Sequence, residues 1–264
     1  GLGSKVLIAN NIGLLWNDVQ SIGFDNISSV LAWLSILAFG LQIYFDFSGY
    51  SLMAIGLGKM LGFNFPQNFN YPYVSKSVTE FWRRWHMTLS FWFRDYLYIP
   101  LGGNRKSVFR TYLNLLIVWF VTGFWHGANW NFIFWGLFFY VFIVVEKLGL
   151  SNFLSKHKIV SHVYLVFLIL LSWSLFAIVN FDDLKIFVIK LFSFDFNCDW
   201  IYYLRNYFVI IAVGVIFSTP FLRNLYNKFI KNYYFDLLVT MLILVLSVAY
   251  LVDATYNPFL YFRF

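Results

Sequence analysis

From Thr111 to Val145 the chain carries no formal charge. That run is too long for one membrane crossing, which takes about 20 apolar residues at ~1.5 Å of rise each. Small and polar residues gather at Gly127, Ala128, Asn129 and Asn131. The run therefore divides there into two helices joined by a tight corner, with His126 at the end of the first. Counted from Tyr112, His126 is reached after roughly 21 Å of helix, short of the ~30 Å hydrocarbon core. An ionisable side chain held within a bilayer span is a candidate functional group. Burial favours the neutral imidazole, the form that accepts a proton from a hydroxyl. The competing account is a structural histidine bonded to a carbonyl at a helix end. Trp125 and Trp130 flank His126 with apolar bulk, and Gly127 leaves room for backbone or ligand to approach.

The rest of the chain agrees with a membrane setting. Its 264 residues are 61% hydrophobic and only 12% charged, against about 25% charged in soluble proteins. The fold class is all-α and polytopic, with re-entrant or interfacial amphipathic helices, as a single membrane-embedded domain over residues 1–264. The net charge of +7 is dispersed among hydrophobic segments, which suits charges that orient membrane helices and not a nucleic-acid partner. The single cysteine, Cys198, excludes an internal disulfide and reads as a bystander. The chain opens on Gly1, and Leu2 to Val19 reads as an amphipathic segment and not a signal peptide. A fragment or a processed product is expected.

Ile27 to Phe45 forms the first span, and Asp46 begins a polar, glycine-containing break after it. Ala54, Gly58 and Gly62 then recur at the spacing that lets membrane helices approach closely. Lys59 among them marks that segment as re-entrant or interfacial. Beyond the two central helices, further spans run over about Ile159–Phe181, Asn206–Leu222 and Leu237–Val252, with a short amphipathic stretch at Asp182–Phe192. Arg105, Lys106 and Arg110 share one side with Lys147, Lys156 and Lys158, and with Arg223, Lys228 and Lys231. The loop holding Asp182, Asp183, Asp195 and Asp199 is net acidic. The positive-inside rule puts the basic loops in the cytoplasm and the corner beside His126, with the carboxyl terminus, outside.

Ser77-Val-Thr-Glu80 matches a capping box, so a helix is expected from there to about Tyr98. On helical spacing Trp82, Trp85, Leu89, Trp92 and Tyr96 make an aromatic stripe, and Arg83, His86, Ser90 and Arg94 a polar one. Glu80 can reach Arg83 or Arg84 one turn on. His86 either lines the same cavity as His126 or sits at the headgroups. Arg83, Arg84 and Arg94 are lipid-phosphate anchors or, in the minority account, hold an anionic acyl-donor group. His157 and His162 are expected to face solvent. The His/Cys/carboxylate spacing does not suggest a metal site, and no serine-hydrolase elbow is present.

The segments Phe81-Trp-Arg-Arg-Trp-His86-Met-Thr-Leu-Ser-Phe-Trp-Phe-Arg-Asp95-Tyr-Leu-Tyr-Ile-Pro-Leu-Gly-Gly-Asn-Arg105 and Gly123-Phe-Trp-His126-Gly-Ala resemble the membrane-bound O-acyltransferase family, nearest its bacterial alginate O-acetyltransferase branch. Tyr44-Phe-Asp-Phe-Ser-Gly-Tyr50 and the tail Asn257-Pro-Phe-Leu-Tyr-Phe-Arg-Phe264 are similar to that branch too. The resemblance implies that His126 is the catalytic histidine and His86 a second one. It implies acetyl transfer from a cytoplasmic donor such as acetyl-CoA, without a bound cofactor, to hydroxyls of a cell-surface polysaccharide. It further implies an extracytoplasmic partner enzyme and a place in the cytoplasmic (inner) membrane. Arg83, Arg84, Asp95, Trp125 and Asn129 are the expected substrate-binding residues. The chain departs from the family in two respects. Full members carry further membrane helices upstream, so part of the acyl path is expected to lie outside this sequence, and Leu52 stands where an aspartate is expected. The rival activities are D-alanyl transfer toward teichoic acid, within the same family, and a proton-coupled transporter in which the two histidines relay protons.

Overall fold

The computed structural model describes residues 1–253, so the Asn257–Phe264 tail lies outside the described residues. Among those residues every regular element is helical. A π-helical turn, Ser4–Ala9, leads into α1 (Asn10–Ile22) and then α2 (Ser29–Met60). Next come the short helices α3 (Val78–Trp82) and α4 (Met87–Phe93), then the central pair α5 (Val108–His126) and α6 (Trp130–Val145). The chain continues through α7 (Ser151–Lys156), α8 (Lys158–Ala177), α9 (Phe181–Phe192), α10 (Asp199–Phe217), α11 (Phe221–Phe229) and α12 (Tyr233–Asp253). Six of the described helical stretches are long and apolar enough to cross a membrane, beginning at Ser29, Val108, Trp130, Lys158, Asp199 and Tyr233. These match the expected spans in number and order. The fifth begins seven residues earlier than expected, because Asp199 accepts the Trp200 N–H and the Ser28 N–H and so starts the helix.

Two compact units make up the described residues, one formed by residues 1–67 with 186–253 and the other by residues 68–185. In the first, the face of the N-terminal segment bearing Val6, Ala9, Ile12, Leu15, Trp16 and Val19 is buried. Gly13 sits so close to the Gln42 side chain of α2 that a methyl group there would collide with it. The expected break at Asp46 is absent: α2 runs unbroken from Ser29 to Met60, roughly 48 Å at 1.5 Å per residue. The buried Asp46 carboxylate is paired with the Lys5 ammonium, and a paired charge can stay inside a helix without unwinding it. The small-residue spacing does not make a helix–helix contact either. Gly58 lies under the Phe65 ring of its own following loop, Gly56 faces open space, and Gly62 takes φ +85° just beyond the helix end. Gly62 is thus a helix terminator, with the Phe63 N–H returning to the Gly58 carbonyl. Leu52 is exposed.

In the second unit the hairpin α5–α6 is the central feature. Gly123 and Gly136 face each other across it. A Cβ on Gly123 would strike the Phe132 carbonyl, and one on Gly136 the Trp119 carbonyl. The two backbones therefore touch where only glycine fits, as small residues permit in membrane helix pairs. Helix α8 lies antiparallel to α6, and the Asn131 amide near the start of α6 donates to the Leu175 and Phe176 carbonyls near the end of α8, at 3.3 and 3.4 Å.

Candidate functional site

The site is assembled from three pieces of the second unit: the end of α5, the start of α6 with the end of α8, and the bend between α3 and α4. Helix α5 stops at His126 because Gly127 leaves helical geometry for an extended conformation. Asn129 then precedes α6 in extended backbone, and its carbonyl accepts the Phe132 N–H at 3.2 Å. The break expected among Gly127, Ala128 and Asn129 is where the chain turns. His126 is partly exposed at this end, while its Nε2 atom is buried.

The surroundings of His126 differ from those expected. Trp125 does flank it, with ring centroids 5.0 Å apart. Trp130 pairs with Phe134. The apolar bulk comes from Trp135, edge-on at 4.8 Å, and from Phe176 of α8 at 5.6 Å. The space beside Gly127 is filled by the Phe132 ring, which a Cβ there would overlap, so that glycine serves packing and not ligand approach. Trp135 is 1% exposed and belongs to a larger aromatic cluster with Trp82, Trp173, Phe139 and Phe176.

The continuous helix expected over residues 77–98 is broken. Ser77 caps the helix, its Oγ accepting the Glu80 N–H at 3.0 Å, while the Glu80 carboxylate reaches back to the Lys76 N–H; yet α3 ends at Trp82 and the chain bends over Arg83–His86. His86 takes φ +45°, in the left-handed region, which costs a non-glycine residue about 1–2 kcal/mol and survives only where neighbours enforce it. Asn68 does so. Its carbonyl accepts the Met87 N–H at 2.9 Å, and its Oδ1 accepts the Thr88 N–H and hydroxyl at 3.2 and 2.9 Å. Asn70 adds a bond from its N–H to the Arg84 carbonyl.

The bend divides both expected stripes. Trp82 and Trp85 turn into the core, whereas Trp92 and Tyr96 are exposed. His86 is carried toward the α5 end, its ring 6.0 Å from Trp125. The same indole thus lies against both imidazoles. Burial pushes the His86 imidazole down to about 4, so it is neutral at ordinary pH.

The other expected site residues separate. Arg84 is taken up by Glu80 at 2.9 Å and by the Asn70 carbonyl, and Glu80 Oε2 accepts the Lys76 N–H. Asp95 is exposed and held by its neighbour Arg94 at 2.7 Å. Arg83 is exposed on the bend and Asn129 at the corner. His157 does face solvent, stacked on Phe153, whereas His162 is only partly exposed and its Nδ1 bonds the Ser75 carbonyl at 3.1 Å. The residues that sequence spacing missed are Trp135, Phe176 and Asn131. Asn131 is wholly buried beside the corner, and only its place among the polar corner residues hinted at a role.

Residues 12–178 match the family model described as MBOAT, membrane-bound O-acyltransferase family. Over 201 residues the chain is 48% identical to the "probable alginate O-acetylase AlgI" of Azotobacter vinelandii, covering 76% of this chain and 39% of that protein. It is 46% identical over 150 residues to the peptidoglycan O-acetyltransferase of Helicobacter pylori, covering 56% and 28%. It is 40% identical over 121 residues to the teichoic acid D-alanyltransferase of Streptococcus thermophilus, covering 43% and 29%. The chain spans about two-fifths of the length of the Azotobacter relative. The match over most of its length, on a multi-pass helical frame, means that this chain belongs to the membrane-bound O-acyltransferase family.

Proposed function

We propose that the protein transfers acetyl groups from a cytoplasmic donor, acetyl-CoA, to hydroxyls of an extracytoplasmic polysaccharide or of a partner enzyme, with His126 as general base. The observation that carries this reading is the arrangement at the α5 end: a partly exposed imidazole braced edge-on by Trp135, with neutral His86 across Trp125.

A neutral imidazole can take the proton of an attacking hydroxyl as that oxygen bonds to the thioester carbonyl carbon. The carbon–sulfur bond then breaks, the acetyl group stays on the acceptor oxygen, and the proton passes from His126 to the leaving thiolate. General-base assistance of this kind is worth about 10²–10⁴-fold. In this reading His86 is the second histidine and holds a hydrogen bond to donor or acceptor, and Trp125 forms the wall between them. Arg83 is the exposed cation left to meet an anionic donor group. Asn129 sits at the mouth of the corner, Arg84 shapes the bend through its pair with Glu80, and Asp95 pairs with Arg94 just beyond α4. In this reading the basic loops and the donor share the cytoplasmic side, as the positive-inside rule suggests, and the bilayer concerned is the inner membrane.

Acetyl is favoured over D-alanyl because the identity is higher and longer toward the alginate relative than toward the D-alanyltransferase. The choice is tested by expressing the full-length protein in its own cells, with and without its coding sequence. Alkali-released esters are then analysed for acetate and D-alanine. Acetate lost with the gene supports the reading; D-alanine lost in its place overturns it.

A further inference from the structure

Glu146, just beyond the end of α6, is 1% exposed. Four donors converge on its carboxylate. Oε1 accepts the Val78 N–H at 2.6 Å and the Tyr164 hydroxyl at 3.3 Å. Oε2 accepts the Thr79 N–H at 3.0 Å and the Thr79 hydroxyl at 2.7 Å. Val78 and Thr79 are the first two residues of α3, so Glu146 satisfies backbone N–H groups that a helix start leaves without internal partners, and its negative charge suits that helix end. Nearby, the His162 ring bonds the Ser75 carbonyl and the Ser75 hydroxyl bonds the Pro72 carbonyl. The approach to α3 is thus pinned by side chains from α8 as well.

The path from this clamp leads to the candidate site. From Val78 at the α6 end, the chain passes Trp82, whose ring meets Phe139 at 4.9 Å and Trp135 at 5.5 Å. It then passes Trp85, 5.1 Å from Trp173, and reaches His86 against Trp125 at the α5 end. Residues 78–86 therefore run antiparallel along α6. These ring contacts are edge-on or tilted and pair no specific atoms, whereas the four hydrogen bonds to the carboxylate each fix one donor against one oxygen.

We propose that Glu146 is a positioning residue: it fixes the register of residues 78–86 along α6, and through that register the placement of His86 beside His126. The proposal rests on the reading that the two histidines serve one reaction. A glutamine at this position keeps the shape but offers one acceptor oxygen, and its NH₂ group confronts the α3 N–H groups. The segment is released to slide, and displacements near 1 Å at a reacting group cost about 10²-fold in rate.

Two measurements on the full-length protein test this in Glu146→Gln. In membranes supplied with radiolabelled acetyl-CoA, label entering alkali-labile ester should show kcat lowered about 10- to 100-fold with KM for acetyl-CoA unchanged. With Cys198→Ser as background, spin labels at Met87→Cys and Ala128→Cys report the separation of the bend from the corner. Their dipolar broadening should change in Glu146→Gln. Unchanged broadening overturns the register proposal whatever the activity. Changed broadening with unchanged kcat overturns the link from register to chemistry. Full activity in His86→Ala, by contrast, removes the underlying reading of His86 without bearing on the register. Should Glu146→Gln not accumulate, Thr79→Val removes one of the four bonds and keeps the carboxylate. It should then lower kcat several-fold and change the broadening relative to the parent, and no change in either measurement overturns the proposal.

Discussion

The His126 imidazole stands edge-on to the Trp135 indole, ring centroids 4.8 Å apart and planes at 80°. His126 ends α5 and Trp135 lies in α6 beside Gly136. Closure of the α5–α6 hairpin therefore brings the two rings together, and the orientation of the proposed base depends on how tightly that hairpin is packed.

Trp135→Ala should remove the wall against which His126 rests. Large-to-small changes at buried tryptophan cost about 3–5 kcal/mol, so both the thermal midpoint in detergent and the acetylation rate should fall. Trp135→Phe keeps an aromatic edge and should retain most of both. Equal losses in the two variants, read by thermal shift and by ester release, would contradict a bracing role.

Gly136→Ala places a methyl group against the Trp119 carbonyl. Overpacking of this kind costs about 1–3 kcal/mol. The hairpin should be prised apart, with lower abundance in the membrane and lower activity per molecule. Gly56→Ala, in open space, is the control and should behave as the parent does.

The bend at His86 is enforced from Asn68, whose amide oxygen accepts two bonds from Thr88. Asn68→Ala leaves those donors unsatisfied and frees a strained residue, at about 1–3 kcal/mol. Activity should fall by more than tenfold, while His86→Gly, which relieves the strain, should leave the fold at least as stable as the parent. Circular dichroism melts and ester release together separate the two effects.

Proton linkage at His86 has a definite sign. Its folded-state pKa is near 4 against an ordinary 6.5, so the unfolded chain binds the proton first as pH falls. Stability from this group is complete above 6.5 and is lost as pH drops toward 4. His86→Ala should flatten the dependence of the melting midpoint between pH 6.5 and 4 relative to the parent. An unchanged slope would place the proton elsewhere.

What could be read from the sequence divides along physical lines. The α5–α6 corner was legible because the signals are local: a long uncharged run, and small and polar residues at the only sensible break. The helix cap at Ser77 was legible for the same reason. The break at His86 was not, because the apolar and polar spacing continues across it while the force that bends it comes from Asn68 and Asn70, in an irregular loop. Asp46 looked like a helix breaker because its partner, Lys5, lies 41 residues away. Trp135 and Phe176 were missed at the site because nothing in the spacing of aromatics says which of many rings a histidine will meet. The basic neighbourhood of His162 points to solvent, whereas the Ser75 carbonyl that partly covers it is a tertiary contact.

His126→Gln in the full-length protein is the most direct test of the proposed chemistry, since it keeps a hydrogen-bonding side chain at the α5 end but removes the group that takes the proton. With protein abundance in the membrane matched to the parent, ester-linked acetate released from the cell surface is measured. A loss of at least about 100-fold is expected. Acetate at the parental level would show that the imidazole at this corner does not do the chemistry.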